Sequence, residues 1–234
     1  MKVAIHQPHY LPWLGYLAKW AEADVLIFLD TVQYEKNGWQ NRNRINTPQG
    51  PRWLTVPVRA RLGLTIAEVE IDARQAWARR HLRAIQHAYA RAKFLDCYTG
   101  ELEEFYGRLW TTLAPLAVAS ARWLGHAVGI ATPARLASEF PAAASDSTGR
   151  LVALCRAVGA TVYLAGRDGA RYMDFAQFRA AGIGVRVQEY EHPVYPQPQE
   201  EFVPFLSGLD LLLTHGDEAL AILRQGDRWS ELSP

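Results

Sequence analysis

Five residues near the amino terminus, His6-Gln7-Pro8-His9-Tyr10, put two imidazoles, an amide and a phenol within one short stretch. A histidine with a donor-acceptor amide beside a helix start suits general-base work or the holding of an anion. The plainer alternative is a ring that satisfies a buried backbone group. His9 alternates to the other side of an extended chain. A second stretch, Asp30-x-x-Gln33-x-x-Lys36-x-x-Trp39-Gln40-Asn41-Arg42-Asn43-Arg44, is dense in directed hydrogen-bonding groups. Gln, Asn and Arg around a Trp suggest bidentate recognition of carboxylate, phosphate or amide groups, against the alternative of a basic, solvated loop.

Two further clusters lie late in the chain. Tyr190-Glu191-His192-Pro193-Val194-Tyr195-Pro196-Gln197 follows an apolar run, so His192 would emerge beside His6 if the two strands are parallel. Two imidazoles and tyrosines in one cleft would make an acid/base site. A metal would need a third ligand such as Asp30, and neither H-E-x-x-H nor H-x-x-E-H occurs, so neither metal nor cofactor is expected. Gly166-Arg167-Asp168-Gly169-Ala170-Arg171-Tyr172 lacks both the dinucleotide and the P-loop spacing. Ser145-Asp146-Ser147-Thr148-x-Arg150 reads first as a helix cap, with Arg150 near its amides as an anion ligand. Cys155 sits on an apolar helix and reads as core.

These groups need elements to position them. Val3-Ala4-Ile5 and Val25 to Leu29 are short apolar runs, and Leu14, Leu17, Ala18 and Ala21 recur between them at helical spacing. Strand, helix, strand within thirty residues predicts a βαβ unit with buried parallel strands, its first loop at the sheet edge where ligands bind. Thr31 to Pro51 reads as a long functional loop. Trp53 to Val58 and Ile66 to Ile71 read as a hairpin, Gln75 to Lys93 as an amphipathic helix, and Gly100 to Ala127 as a helix bent at Pro115. A cap at Ser147 or Thr148 opens a helix to Val158. Thr161 to Leu164 and Val185 to Tyr190 follow as strands, Tyr172 to Ala181 as a helix, and Phe205 to Leu213 and Glu218 to Leu223 as closing helices. The expected fold is α/β, a mainly parallel, Rossmann-like sheet flanked by helices, with an inserted hairpin and helical segment. It forms one domain over 1–234, with about 75–128 as a candidate subdomain and 142–147 as the one candidate linker.

Composition narrows the function. The 234 residues carry 25 Lys+Arg against 24 Asp+Glu, a net charge of +1, which lacks the field of a general nucleic-acid binder. Two cysteines, Cys97 and Cys155, exclude a disulfide framework. No apolar run approaches the roughly 20 residues of a membrane span. A cytoplasmic protein with neither nucleic-acid nor membrane partners is expected.

Taken together, AIHQPHYLPWLGYLAKWAEAD, FLDTVQYEKNGWQNRNRI, WLTVPV with IAEVEID, RLVALCRAVGATVYLAGRDGARYMD, GIGVRVQEYEHPVYPQ and FVPFLSGLDLLLTHG resemble, in order, the WbqC-like family. The family's pattern falls on His6, Gln7, Pro8, Tyr10, Trp13, Gly15, Asp30, Gln33, Lys36, Trp39, Asn41, Arg42, Arg150, Tyr163, Gly166, Gly169, Tyr172, His192, Pro193, Tyr195 and Gln197. Gly149 departs from it, standing where an acid precedes the arginine. The resemblance implies an N-acyl- or aminoacyltransferase, for example of glycine, in surface-polysaccharide or secondary-metabolite assembly. Its partners would be a small amine or amino-sugar nucleotide and an acyl or peptidyl carrier protein. His6 would be the base, Gln7 or Asn41 the oxyanion donor, and Lys36, Arg42 and Arg44 the phosphate clamps. His192 and Tyr195 would orient the acceptor or protonate the leaving group, and His6, Asp30, Lys36 and His192 would line one pocket. Two rivals stand beside it: a nucleotidylyltransferase-type enzyme, although the H-x-G-H spacing is absent, and a non-catalytic glycan- or nucleotide-binding module.

Overall fold

Strand β1 (Lys2–His6) pairs in parallel with β2 (Val25–Phe28), with Val3 opposite Val25 and His6 opposite Phe28. Helix α1 (Leu14–Glu22) connects them, so the βαβ unit read from the apolar spacing is present. The structure, a computed structural model, describes residues 1–141 and 146–232. The sheet continues with β7 (Ala134–Leu136), β8 (Val162–Gly166), β9 (Gly184–Gln188) and β10 (Trp229–Leu232), in the order β10-β9-β8-β1-β2-β7. All its pairings are parallel except β10 with β9. Neither β7 nor β10 stood out in the sequence; each is a short edge strand.

Side chains alternate across this sheet. Ala4, Leu26, Phe28 and Leu164 face α1, α4 (Leu113–Ala127), α8 (Gly208–His215) and α9 (Ala219–Gln225). Val3, Ile5, Val25, Ile27, Ala165, Val185 and Val187 face α5 (Ser147–Ala157) and α7 (Phe175–Ala180). The chain leaves β1 in one direction for β2 and resumes on its other flank at β8. Right-handed crossovers in opposite directions require helices on opposite faces, as found. The crevice between the carboxyl ends of β1 and β8 is therefore a topological switch point.

The insertion differs from the sequence reading. Arg42–Thr47 is strand β3, antiparallel to β4 (Gly50–Thr55), so half of the expected loop belongs to a hairpin. Asn43 and Asn46, on opposite faces of β3, are each 1% exposed, and Ile45 is the one apolar residue of the strand, so polar residues at buried positions hid the period-2 alternation. Val58–Arg59 (β5) and Glu70–Ile71 (β6) form a second short pair, with a 3₁₀ turn at Ile66–Glu68 where a strand was expected. Helix α2 (Trp77–Ala88) packs on strand β3 of the first hairpin, and α3 (Leu95–Gly107) packs on α2. The expected bend at Pro115 does not occur. The chain breaks at 108–112, and Pro115 lies in the first turn of α4, where its missing N–H removes no helical bond. The cap of α5 is Asp146, whose carboxylate accepts from Gly149 N at 2.8 Å, in place of Ser147 or Thr148. Ser145 and the rest of the candidate linker up to it lie outside the described residues.

Cys155 is fully buried among the residues under α5, and burial pushes its thiol up to about 12. No described helix is long and apolar enough to cross a membrane.

Candidate functional site

The switch-point crevice opens into a cleft of about 1370 Å³. Its walls are the end of β1 with the loop Gln7 to Trp13, helix α1, the ends of β8 and β9, and the short helix α6 (Arg167–Ala170). The loop is tightly held. Leu11 takes φ +46°, an uncommon value for a residue with a branched side chain. Its N–H donates to Ser120 Oγ at 3.0 Å, and its carbonyl accepts from Asn43 Nδ2 at 2.6 Å. Gly15 lets the Trp13 indole fold over the helix, since a Cβ there would lie 2.2 Å from the ring.

The floor is made by His6, His9, Tyr16 and Lys19. The His6 ring centroid lies 4.6 Å from that of His9 and 4.3 Å from that of Tyr16. His6 Nδ1 stands 3.1 Å from the Gln7 carbonyl, so Nδ1–H donates there and Nε2 keeps its lone pair. Burial holds the His6 pKa well below 6.5, and the charge of Lys19 lowers it further. Burial takes His9 down to about 3, again with help from Lys19. Both rings are neutral at pH 7. His9 Nδ1 and the Tyr16 hydroxyl are buried with no hydrogen-bond partner. Lys19 is 3% exposed, has no acidic partner among the described residues, and is drawn by burial down to about 7.

Around this floor stand Gln7, Trp39, Arg44, Tyr163, Arg167, Arg171 and Tyr172, with the acids Glu35, Asp168, Glu189 and Glu191 at exposed positions. Gln7 Oε1 accepts from Gln40 Nε2 at 2.6 Å, which leaves the Gln7 amide N–H groups for a ligand. Arg44 donates to the carbonyls of Pro204 and Phe205 at 3.3 Å each. Trp39 packs on Trp53 with ring centroids 5.5 Å apart.

Of the residues named in the sequence, the structure brings His6, Gln7, His9, Trp13, Gly15, Trp39, Arg44, Tyr163, Gly166, Gly169 and Tyr172 to this cleft. The remaining candidate catalytic and substrate-binding residues lie elsewhere. Asp30 is buried behind β2 and accepts from Ser138 N at 3.0 Å and Ser138 Oγ at 2.7 Å, which pins a neighbouring turn. Lys36 and Gln33 are exposed, and Gln33 bridges to Thr65. His6, Asp30, Lys36 and His192 thus do not share one pocket. Lys36 is absent from the cleft lining although Glu35 beside it is part of it, and the His192 ring packs between Phe202 and Phe205 with Nδ1 on the Pro193 carbonyl at 2.9 Å. Asn41 Nδ2 donates to the Val56 carbonyl at 2.8 Å, and Arg42 stacks 4.3 Å over Trp53 while donating to the Asn37 carbonyl. The Tyr10 hydroxyl bonds His81 Nδ1 at 3.0 Å and the Tyr106 hydroxyl at 2.5 Å, deep in the insertion's core. The Tyr195 hydroxyl donates to Asp210 Oδ1 at 3.0 Å, and Gln197 bonds both polar groups of the Val203 backbone. Arg150 lies in the first turn of α5, outside the cleft lining.

Sequence reasoning missed Lys19 and Tyr16, and it placed His9 on the other side of the chain, whereas the loop after β1 turns its ring to within 4.6 Å of that of His6 in the same cleft. The available signal was a lysine within LGYLAKWAE, a helix of nine residues with almost no polar face to carry it. Among the described residues no three His, Cys, Asp or Glu side chains gather as a metal site.

Comparison with known proteins places this chain in a family. The chain is similar to "Uncharacterized protein Rv1507c" of Mycobacterium tuberculosis (strain ATCC 25618 / H37Rv), 37% identical over 228 residues, which cover 95% of this chain and 97% of the relative. No solved structure matches it. The model of the WbqC-like protein family matches residues 7–222, from the amide at the cleft's edge to the helices that close the fold. The chain belongs to the WbqC-like protein family.

Proposed function

We propose that the cleft forms amides, transferring an acyl or aminoacyl group from an activated donor to the amine of an amino-sugar nucleotide or a related small amine. The observation that carries this reading is His6: a neutral imidazole with Nε2 free, at the carboxyl end of the first strand and on the cleft's floor. The amine nitrogen attacks the donor carbonyl, the C–N bond forms, and His6 Nε2 takes the ammonium proton. The C–S bond of a carrier thioester then breaks, and the proton passes to the departing sulfur. The Gln7 amide N–H groups suit the tetrahedral oxyanion, where one such donor is worth about 10²–10³ in rate. Arg44, Arg167 and Arg171 suit the phosphates of a nucleotide, and Trp39 and Tyr172 offer aromatic planes for its base. These placements move the phosphate-clamp role from Lys36 and Arg42 to the arginines on the cleft. A carrier protein and a place in surface-polysaccharide or secondary-metabolite assembly belong to the same proposal.

The test is incubation of the protein with a panel of acyl- and aminoacyl-carrier thioesters and an amino-sugar nucleotide, with amide product read by mass spectrometry. His6→Gln, which keeps a polar side chain without a base of this strength, is expected to lower the rate by about 10²–10⁴. No product across the donor panel removes the reading.

A further inference from the structure

Charged side chains buried without a counter-ion are costly, and proteins rarely keep them except where a ligand supplies the missing partner. We propose that Lys19, Tyr16 and His9 form a receptor for a compact anion, a phosphoryl or carboxylate group, on the floor of the switch-point cleft. Three observations carry this. The Lys19 ammonium has no carboxylate beside it among the described residues, although four acids line the same cleft at exposed positions. Glu191 pairs with Arg228 and Glu189 accepts from Ser230, so they are engaged away from the floor. Tyr16 and His9, 1% and 7% exposed respectively, line the cleft with Lys19, and the Tyr16 hydroxyl and His9 Nδ1 are buried with no hydrogen-bond partner. Finally, Lys19 Nζ lies 3.5 Å from where a Cβ on Gly166 would stand, so the end of β8 carries no side chain above the ammonium.

An anion there answers each of these facts. It accepts from the ammonium and from the tyrosine hydroxyl, and from His9 in the tautomer that carries its proton on Nδ1. It also relieves the mutual discouragement of charge between Lys19 and the two histidines. The arginines of the cleft are a separate resource, because Arg167 and Arg171 are exposed. Anion binding at this floor does not depend on whether the cleft forms amides.

The experiment is calorimetric titration and thermal denaturation of the full chain at pH 7 with potassium phosphate or with potassium acetate. Potassium chloride holds the ionic strength constant. Saturable binding of at least one of the two anions is expected, with a rise in the denaturation midpoint. Phosphate alone identifies a phosphoryl receptor, acetate alone a carboxylate receptor, and both a receptor of broader acceptance. Lys19→Met should weaken binding by about ten- to a hundred-fold, the worth of one charge-assisted bond, and Tyr16→Phe by less. With chloride as the only added anion, Lys19→Met should denature no earlier than the parent, since it removes an unpaired buried charge. Binding of neither anion, binding that survives in Lys19→Met, or a lowered Lys19→Met midpoint, as a structural lysine would give, overturns the proposal. The amide-forming assay reads turnover and is unaffected by any of these results.

Discussion

Asp210 and Lys19 are both buried ionisable side chains, and their surroundings are opposite. Asp210 Oδ1 accepts from the Tyr195 hydroxyl at 3.0 Å and Oδ2 from the Tyr89 hydroxyl at 2.9 Å. The Tyr89 hydroxyl in turn accepts from Asn46 N at 3.2 Å. That knot ties helix α8, the end of α2, strand β3 and the segment after β9 together. Lys19, a few residues along α1 from the loop at the sheet edge, has two neutral imidazoles near its charge and no acid. Saturated polar clusters hold a fold in register, whereas unsaturated ones beside open space wait for something to complete them. The Tyr10–His81–Tyr106 group belongs with the first kind.

The strongest break of this comparison is at the knot. Asp210→Leu leaves two buried hydroxyls without an acceptor, each costing about 1–3 kcal/mol, so a loss of about 3–5 kcal/mol is expected by urea denaturation. Asp210→Asn keeps an acceptor for one tyrosine and should lose less. A change below about 1 kcal/mol in Asp210→Leu would show that the knot does not hold these elements together.

The two side chains also give stability opposite dependence on pH. Burial lifts Asp210 from 3.8 to about 6, so its contribution is full below 3.8 and is lost as pH rises through 6. Burial drops Lys19 from 10.5 to about 7, so its contribution is full above 10.5 and is lost as pH falls through 7. Denaturant titrations at pH 7 and pH 10 should therefore show the parent gaining stability relative to Lys19→Met at the higher pH. After relaxation and water entry, a difference of about 1–3 kcal/mol is expected. Parallel curves would mean that Lys19 is solvated or paired.

Much of the fold was legible because apolar period decides it. The runs around Ile5 and Ile27 and the stripe Leu14-Leu17-Ala18-Ala21 are buried as their spacing demands. The site was legible only in part, for a physical reason. Residue type announces what a side chain can do, but the partners that occupy it are distant in sequence. Tyr195 and Gln197 have the chemistry of ligand groups, yet Asp210 and the Val203 backbone satisfy them. Asp30 is likewise consumed by Ser138, 108 positions away. Lys19 was hidden in the opposite sense. A lysine late in a short helix ordinarily reaches water, and only the packing of β8 and the amino-terminal loop around it shows that it does not.

Arg42 and Arg44 allow the finest test, because they differ by two positions on one strand and carry the same chemistry. The guanidinium of Arg42 is already engaged, stacked 4.3 Å over Trp53 and donating to the Asn37 carbonyl, away from the cleft. That of Arg44 lies 5.7 Å from the same ring and lines the cleft while donating to the carbonyls of Pro204 and Phe205, and the Nε of each arginine is buried and unpartnered. The family resemblance marks Arg42 and Arg44 alike as phosphate clamps, whereas only Arg44 lines the cleft. A lysine keeps the charge and loses the planar fork, so Arg44→Lys should weaken binding of uridine diphosphate by about ten-fold. Arg42→Lys should stay within about three-fold, since the bond to the Asn37 carbonyl and the stack that it disturbs lie away from the cleft, the stack being worth roughly 0.5–1 kcal/mol at an exposed ring. Calorimetric titration of both variants separates the outcomes. Equal weakening would mean that the Trp53 stack sets the position of Arg44, and the hairpin face would then act as one recognition surface rather than as a support with a single working arginine.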